Sequence, residues 1–322
     1  MAFISFTFVL SLILVVTLSS AQLRVNFYSR TCPTAEFIVL NAVVTAVRSD
    51  PTMAAALLRI HYHDCFVQGC DGSILIAKTG SERDSPSHAG LRGFEVIENA
   101  KTTLEAMCPG VVSCSDIVAL AARDSIVVSN GPNYQVPTGR RDGRVSAKAD
   151  ASNMPDAADP IQVLKKKFSE KGLSVTDLVL LSAAHTIGTT ACFFLENRLY
   201  NFPPRGGADP SINPRFLPEL QGICPKNGDV NVRLGLDRGS QFAFDKNFLD
   251  NVRQGFAVLQ TDAELYQDVS TKAIVDSYFG FLSGLLGPNF NGDFVKSMVK
   301  MGQIGVKTGT DGVIRKNCSV LD

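Results

Sequence analysis

Three common catalytic signatures are missing from the sequence: GxSxG, GxGxxG and the P-loop. Their absence argues against a serine hydrolase, a Rossmann dinucleotide-binding domain and a P-loop nucleotide-binding site. Lysine and arginine total 31, aspartate and glutamate also total 31, and no basic stripe appears. The charge distribution of this chain therefore does not indicate nucleic-acid binding. The three lysines at 165–167 are more typical of a solvated helix face.

Histidine is also scarce, and cysteine lacks the close pairs of a zinc site. The four histidines, His61, His63, His88 and His185, limit acid–base and metal chemistry to few positions. The eight cysteines include no CxxC pair, which argues against zinc. An even count in a secreted chain indicates disulfides instead. Composition alone does not choose among the roughly 100 pairings that eight cysteines permit.

Long apolar runs are confined to the N-terminus. The sequence is apolar from Ala2 to Leu18, and Ser19 and Ala21 fit the minus-three and minus-one positions of a signal-peptidase site. We therefore predict a signal peptide at 1–21 and a secreted mature domain at 22–322 that has no membrane association. The alternative is a membrane anchor, for which the segment is marginally long enough.

Apolar residues recur with helical rather than strand spacing through most of the mature chain. Ser113 and Ser174 each stand three residues before an aspartate, a spacing close to that of a capping box. Gly172 and Gly302 suit helix ends. Long loops between the helices are usually functional or pinned, and disulfides and bound ions are natural pins here. The pattern predicts a helix after Cys32-Pro33 and one at LVLLSAAH, with others at 52–65, 94–107, 115–128, 160–172, 190–199, 213–221, 244–253, 271–283 and 290–302.

The segment LLRIHYHDCFVQGC, at 57–70, brings several functional side chains together. Arg59 and His63 are four residues apart on a predicted helix, so they share one face. An imidazole beside a guanidinium can move a proton while the cation stabilises developing negative charge. Asp64 follows, and then a glycine-containing loop with Asp71 and Ser73, which is typical of an oxygen-ligand calcium loop. The alternative, an isolated surface or core pair, does not account for this clustering.

A second candidate site lies around His185, at the end of an apolar helix. A histidine presented to an apolar pocket can be an axial haem ligand. The alternative is a core histidine whose nitrogens are satisfied. A further set of oxygen ligands is present at Asp237, Ser240 and Asp245, where the alternative is an ordinary loop with turn-forming residues.

These residues belong to a longer pattern that resembles the secretory (class III) plant haem peroxidases. The motifs RIHYHDCFVQGCDGSIL, LRGFEVIENAK, CPGVVSCSDIVALAARD, VPTGRRDGR, LSAAHTIG and DFVKSMVKMGQIGV carry the resemblance over nearly all of the mature chain. It implies an all-α, two-lobed fold with very little strand, in which disulfides and calcium pin the long loops. It also implies a peroxidase: hydrogen peroxide oxidises ferric haem b to a ferryl intermediate, and two one-electron oxidations of small phenolic donors restore the ferric state.

The resemblance assigns roles to individual residues. It implies that His185 is the axial haem ligand and that Asp262 accepts its other N–H. It implies that His63 and Arg59 act on the peroxide. Pro155 corresponds to the position at which the family binds its reducing substrate, beside the exposed haem edge.

The resemblance also implies two calcium ions, four disulfides and a buried ion pair. It further implies a monomer that is secreted to the cell wall rather than the vacuole, since no extension follows SVLD. The ion pair joins Asp116 to Arg140. The implied calcium ligands are Asp64, Val67, Gly69, Asp71 and Ser73 at one site, and Thr186, Asp237, Ser240, Ala243 and Asp245 at the other. The implied disulfides are Cys32–Cys108, Cys65–Cys70, Cys114–Cys318 and Cys192–Cys224.

Two departures from the family pattern affect the catalytic histidine. Tyr62 stands where the family usually has phenylalanine, and Ser87-His88 follows Pro86 where the family usually has asparagine. That asparagine accepts the Nδ1–H of the catalytic histidine. We hypothesise that neutral His88 replaces it as acceptor and that peroxide cleavage weakens when His88 is protonated. In one alternative His88 faces solvent, and the chain is a haem- and calcium-binding relative with weak turnover. In another the chain is a haem-free structural or calcium-binding secreted protein.

Overall fold

The computed structural model describes residues 22–280 and 287–321. Helices dominate this part of the chain, which confirms the all-α prediction. None of these helices is long and apolar enough to cross a membrane. The predicted signal peptide at 1–21 lies outside the described residues. The helices are α1 (Ala35–Ser49), α2 (Met53–Phe66), α3 (Phe94–Met107), α4 (Cys114–Val128), α5 (Ile161–Glu170), α6 (Val175–Ser182), α7 (Glu196–Tyr200), α8 (Leu217–Ile223), α9 (Asn247–Gln254), α10 (Gln260–Glu264), α11 (Val269–Ser277) and α12 (Phe290–Met301).

Most predicted helices lie where the apolar periodicity indicates, but the helix predicted at 190–199 is wrong in its first half. Residues Thr189–Ala191 form strand β1, which pairs antiparallel with β2 (Arg233–Gly235). A 3₁₀ turn then leads into α7. The strand forms because two threonines with high β propensity meet a partner segment far along the chain. The helix predicted at 271–283 ends at Ser277, and residues 281–283 lie outside the described ranges.

The two capping-box spacings give different results. Ser174 accepts a hydrogen bond from the Asp177 backbone N–H at 3.1 Å, and Asp177 accepts one from the Ser174 N–H at 2.7 Å, so α6 begins with a complete capping box. Ser113 caps α4, but Asp116 does not return the bond. The Asp116 carboxylate instead forms a fully buried ion pair with Arg140 at 2.7 Å. The sequence spacing therefore predicts the start of both helices correctly. A reciprocal capping box, however, forms only at α6.

Helix α2 lies between two hydrophobic clusters, which places its polar side chains between the two lobes. Leu57 and Ile60 pack into a cluster with α1, α3 and α4. Leu58 and Phe66 pack into a second cluster with α5, α6, α9, α11 and α12. Each fully buried side chain of this size stabilises the fold by about 1.5–3 kcal/mol. Because two sides of α2 pack against the clusters, the helix cannot rotate about its axis. The direction of its remaining face is therefore fixed.

Four disulfides join all eight cysteines, in the pairs that the resemblance implies. Cys32–Cys108 joins the segment before α1 to the end of α3. Cys114–Cys318 joins the start of α4 to the C-terminal segment. Cys65–Cys70 closes the short loop directly after His63, and so restrains the end of α2.

Candidate active site

Helix α2 presents Arg59 and His63 on one face, one helical turn apart. The Arg59 Nε–H donates to His63 Nε2 over 3.1 Å, and Arg59 Nη2 donates to the Ala89 carbonyl over 3.1 Å. Burial lowers the pKa of His63, and the neighbouring Arg59 and His88 side chains lower it further. A neutral imidazole with an accepting Nε2 can take a proton, and the guanidinium beside it can stabilise an oxygen anion.

The second nitrogen of His63 faces His88. His88 ends a 3₁₀ turn at Pro86–His88, and its ring is only 3% exposed. The two imidazole rings meet edge to face with centroids 4.9 Å apart. His88 Nδ1 lies 2.9 Å from the Glu82 carbonyl oxygen. The structure therefore places His88 against His63 and excludes the alternative in which its ring points into solvent.

His185 lies on the other side of the site, in a 3₁₀ segment that continues α6. Its Nδ1 lies 3.0 and 3.1 Å from the two oxygens of Asp262, a carboxylate on α10 that is only 1% exposed. Burial lowers the pKa of His185, but the charge and hydrogen bond of Asp262 outweigh it, so the net shift is upward. A carboxylate on Nδ1 leaves the lone pair on Nε2, which is the atom that binds a metal.

The two histidine-bearing elements are in direct contact. Gly188 has φ of +107°, and a Cβ atom at this position would lie 2.7 Å from the Ala55 Cβ on α2. Ala55 lies one turn before Arg59, and the Arg59 charge acts on His185 by lowering its pKa. The elements that carry Arg59 and His63 on one hand and His185 on the other therefore meet at Ala55 and Gly188. The close approach of the two elements at Gly188 leaves no room for a larger residue.

Tyr62 packs beside His63. Its ring meets the His63 ring edge to face, at a centroid distance of 5.3 Å, and packs against Phe66 at 4.5 Å. Burial raises the pKa of Tyr62, Arg59 lowers it and the carboxylate of Asp159 raises it again. Asp159 and the residues around Pro155 are held by Lys167, which donates to the Met154 carbonyl and to Asp159 over 2.8 and 2.7 Å. The charge of this segment therefore acts on Tyr62.

The oxygen ligands implied near His185 converge on one hydroxyl. Thr186 Oγ1 donates to Asp237 Oδ2 over 2.9 Å and lies 3.4 Å from both the Ala243 carbonyl and Asp245 Oδ1. Ser240 donates to the same Asp237 oxygen over 3.1 Å. Burial raises the pKa of Asp237 to about 6, an effect that the hydroxyl donors reduce and Asp245 increases. Two carboxylates, two hydroxyls and one carbonyl make an oxygen-only donor set, which suits calcium.

The oxygen ligands implied near His63 are less well assembled. Asp64 and Asp71 are buried, and burial together with the charge of Asp71 raises the pKa of Asp64. The hydroxyl of Ser73 is buried without a hydrogen-bond partner among the described residues. The carbonyls of Val67 and Gly69 instead accept from Lys171 Nζ and from the Asp71 N–H, each over 2.8 Å. Two buried carboxylates that repel each other beside an unpaired hydroxyl favour a cation.

Each cluster contains only two carboxylates. Accordingly, no group of three or more histidine, cysteine, aspartate or glutamate side chains forms a metal centre within 22–280 and 287–321. The remaining donors at both clusters are hydroxyl and carbonyl oxygens. Hard, neutral oxygens of this kind are ligands of calcium rather than of zinc or copper.

Several residues that support the site were not identified from the sequence. Asn247 and Asn251, on α9, both donate to Asp237 Oδ1 and so orient that carboxylate. Arg198 is buried and pairs with Asp209 over 2.8 Å. It also donates to the Ala257 and Val258 carbonyls, which lie just before the helix that carries Asp262. Buried arginine and asparagine are uncommon, but a single sequence does not reveal their burial.

The helical fold and the two hydrogen-bonded pairs, Arg59–His63 and His185–Asp262, are compatible with a peroxidase, and comparison with known proteins shows the family. The family model described as peroxidase matches residues 39–280, and the chain belongs to the secretory (class III) plant peroxidase family. Peroxidase 43 of Arabidopsis thaliana is 61% identical over 306 residues, which cover 95% of this chain and 94% of that protein. Peroxidase N1 of Nicotiana tabacum is 54% identical over 299 residues, which cover 93% and 90% of the two chains.

Family membership determines the class of reaction. The protein is an enzyme that uses hydrogen peroxide to oxidise donor molecules. The comparisons do not favour the alternative of a relative with weak turnover. The chain contains both hydrogen-bonded pairs, Arg59–His63 and His185–Asp262.

Proposed function

We propose that the chain binds one haem b between His63 and His185 and two calcium ions, and that it oxidises small phenolic donors. One observation carries this proposal. The Asp262–His185 pair leaves the imidazole Nε2 lone pair free, and the Arg59–His63 pair lies on the helix that meets the His185 segment at Ala55 and Gly188. When bound, the haem iron supplies the centre at which peroxide is reduced and to which donors return electrons.

The Arg59–His63 pair supports heterolysis of the peroxide. His63 Nε2 accepts the proton of the oxygen that attacks and returns it to the oxygen that leaves, which departs as water. Arg59 stabilises the negative charge that develops between the two oxygens. The complete reaction consumes one hydrogen peroxide and two donors, and it yields two waters and two donor radicals.

The Asp262–His185 pair sets the character of the axial ligand. A buried carboxylate on Nδ1–H fixes the ring orientation and raises the basicity of Nε2. An electron-rich ligand stabilises the oxidised iron. The contacts of Arg198 with Ala257 and Val258 hold the segment that carries this carboxylate.

Calcium binding at the two oxygen clusters would hold both histidines in place. Asp64 directly follows His63, and Thr186 directly follows His185. A cation at either cluster would relieve the repulsion between its two carboxylates. We therefore expect calcium to order the segments on both sides of the haem.

The donor site lies at the edge formed by Pro155 and Tyr62. Pro155 is half-buried, and the nearby ring of Tyr62 offers a surface on which a flat phenol can pack. The four disulfides support secretion, since disulfides persist in oxidising compartments. We propose a monomer that is exported to the cell wall after removal of residues 1–21.

A peroxide-dependent assay with guaiacol tests the proposal. The purified wild type should show a Soret band and should oxidise guaiacol only when peroxide is added. Arg59→Leu should keep the Soret band and lose at least about 100-fold in rate, since the charge at the separating oxygens is removed. Arg48→Leu, at an exposed arginine near the end of α1, is the matched control and should retain full activity. A chain that binds no haem, or that shows equal rates for the two variants, contradicts the proposal.

A further inference from the structure

Two buried nitrogens at the site have no hydrogen-bond partner within the described ranges: His63 Nδ1 and His88 Nε2. Both rings are almost fully buried, at 5% and 3% exposure. A buried polar atom without a partner is uncommon, because it loses its hydrogen bonds to water and gains none in return. Two such atoms on rings that touch require a common explanation.

The other nitrogen of each ring determines which atom carries the proton. His63 Nε2 accepts from the Arg59 Nε–H, so the proton of neutral His63 is on Nδ1. His88 Nδ1 lies 2.9 Å from the Glu82 carbonyl oxygen, which only accepts, so the proton of neutral His88 is also on Nδ1. The unpartnered atoms are therefore a donor on His63 and an acceptor on His88. They are complementary.

The distance and the surroundings of the rings favour a bond between these atoms. The ring centroids are 4.9 Å apart and the planes meet at 79°, so the two rings are in contact, and neither nitrogen has a competing partner among the described residues. Burial lowers the pKa of His88 and the Arg59 charge lowers it further, while the Glu82 carbonyl opposes them, and the net shift keeps the ring neutral. The Ala89 carbonyl, next in the chain, accepts from Arg59. One short segment thus contacts both peroxide-handling side chains.

We propose that His88 is a positioning residue for peroxide cleavage: its Nε2 accepts the Nδ1–H of His63, and the Glu82 backbone carbonyl fixes His88 in the tautomer that makes this possible. The inference rests on the proposed function of His63 as the proton acceptor. Holding the His63 proton on Nδ1 keeps the Nε2 lone pair available to peroxide. His88 thus provides the acceptor, because the side chain of the neighbouring Ser87 is too short to do so.

Two substitutions with side chains of similar size test the accepting atom of His88 separately from the bulk of its ring. In His88→Gln the amide oxygen reaches the position of Nε2 and can accept from His63. In His88→Leu the side chain keeps a similar size but has no atom that can accept a hydrogen bond. The two variants differ in the proposed bond and little else. Thermal unfolding of each holoenzyme checks that the loop at 85–91 remains folded.

The first readout is the bimolecular rate of the ferric holoenzyme with peroxide, followed at the Soret band in a stopped-flow instrument. We expect His88→Leu to lower this rate about 10- to 100-fold, as for other partners that orient a functional histidine. His88→Gln should retain most of the rate. Equal rates for wild type and His88→Leu, or equal losses for the two variants, would overturn the inference. A wild type that does not react with peroxide at all would instead overturn the proposed function.

The second readout needs no peroxide. Histidine is labelled with ¹⁵N, and the diamagnetic ferrous carbonmonoxy holoenzyme is studied by NMR, where four histidines give a simple spectrum. We expect His63 and His88 both to carry the proton on Nδ1, with a slowly exchanging Nδ1–H on His63. That proton should exchange rapidly in His88→Leu and slowly again in His88→Gln. A wild-type His88 protonated on Nε2 contradicts the inference whether or not either variant folds.

Discussion

The two histidines proposed for catalysis differ in the surroundings of their Nδ1 atoms. On the His185 side, a buried carboxylate, Asp262, accepts the Nδ1–H at 3.0 Å, and the oxygen cluster next to it is already assembled around Thr186. On the His63 side the ring packs against the His88 ring, Nδ1 has no hydrogen-bond partner among the described residues, and the adjacent oxygen cluster contains a hydroxyl that also lacks one.

The difference matches the two tasks. A ligand that must donate electron density to iron gains from a full negative charge on its other nitrogen. A base that must take a proton and then give it back gains from a neutral partner, because a carboxylate would stabilise the protonated imidazole and delay the return of the proton. The comparison predicts that charge matters on the His185 side and that acceptor position matters on the His63 side.

Removal of the base itself should have the largest effect. His63→Leu keeps an apolar side chain of similar size on α2 but has no atom to accept a proton. We expect the rate of the reaction with peroxide to fall by about 10²–10⁴-fold, the usual contribution of a positioned general base. The Soret band should persist, because His185 is untouched. A variant that reacts within a few-fold of the wild type would show that His63 is not the proton acceptor.

Asp262→Asn should have the next largest effect and tests the role of charge. The amide keeps the size of the side chain but removes the negative charge on His185 Nδ1. We expect turnover to fall about 10- to 100-fold and the iron reduction potential to become more positive. His88→Leu should lower the peroxide rate by a similar factor and leave the potential unchanged. Asp311→Asn, at an exposed aspartate, is the control. A potential that moves equally in both site variants would remove the distinction between the two sides.

Loss of one calcium ion should have the third largest effect, which is on the free energy of unfolding. The wild type should contain two calcium ions by elemental analysis, and Asp237→Asn should contain one. If calcium is present at about a hundred times its dissociation constant, loss of one site lowers the free energy of unfolding by about 2.7 kcal/mol. Since Thr186 adjoins His185, the spectrum of the haem should change as well. Equal calcium content in the two proteins would show that the Thr186 cluster is not a calcium site.

Asp177 gives the smallest effect and a clear dependence on pH. Burial raises the pKa of this carboxyl, but hydrogen bonds from Lys300, Ser174 and Ser297 outweigh it and lower the pKa below its usual value. Because the folded pKa is below that of the unfolded chain, the carboxylate stabilises the fold above about pH 4. The stabilisation is lost as the pH falls through the folded pKa. Asp177 also completes the capping box of α6, the helix that leads to His185.

We expect Asp177→Asn to lower the free energy of unfolding by about 1–2 kcal/mol at pH 6, after allowing for the partial exposure of Lys300. The difference between wild type and variant should shrink below about pH 4. Urea unfolding at a series of pH values measures both quantities. A difference of constant size across the series would mean that the charge of Asp177 has no part in the stabilisation.

Local patterns predicted much of this fold and its site. The helix at 94–107 was predicted with both ends correct, because apolar periodicity and the flanking glycine act within a few residues of the chain. The pairing of β1 with β2 escaped prediction, since it joins residues 44 positions apart, such as Thr190 and Leu234, with no local signal. The Val67 carbonyl was expected among the calcium ligands, yet it accepts from Lys171, a contact between residues about 100 positions apart.

The status of His88 shows the same limit within the site. The sequence identifies this residue as unusual but does not say whether its ring is buried or which nitrogen is free. Those facts depend on a backbone carbonyl, that of Glu82, and carbonyls are present at every position. Only the folded chain reveals that this particular one fixes the ring against His63.

The central claim is that His185 and His63 enclose one haem. The most direct measurement is the absorption spectrum of haem titrated into the purified wild type and into His185→Ala. The wild type should saturate at one haem per chain and give a Soret band of histidine-ligated iron, and this band should bleach on addition of peroxide. His185→Ala should lose that band. Identical spectra for the two proteins, or no saturable haem binding by the wild type, would contradict the claim.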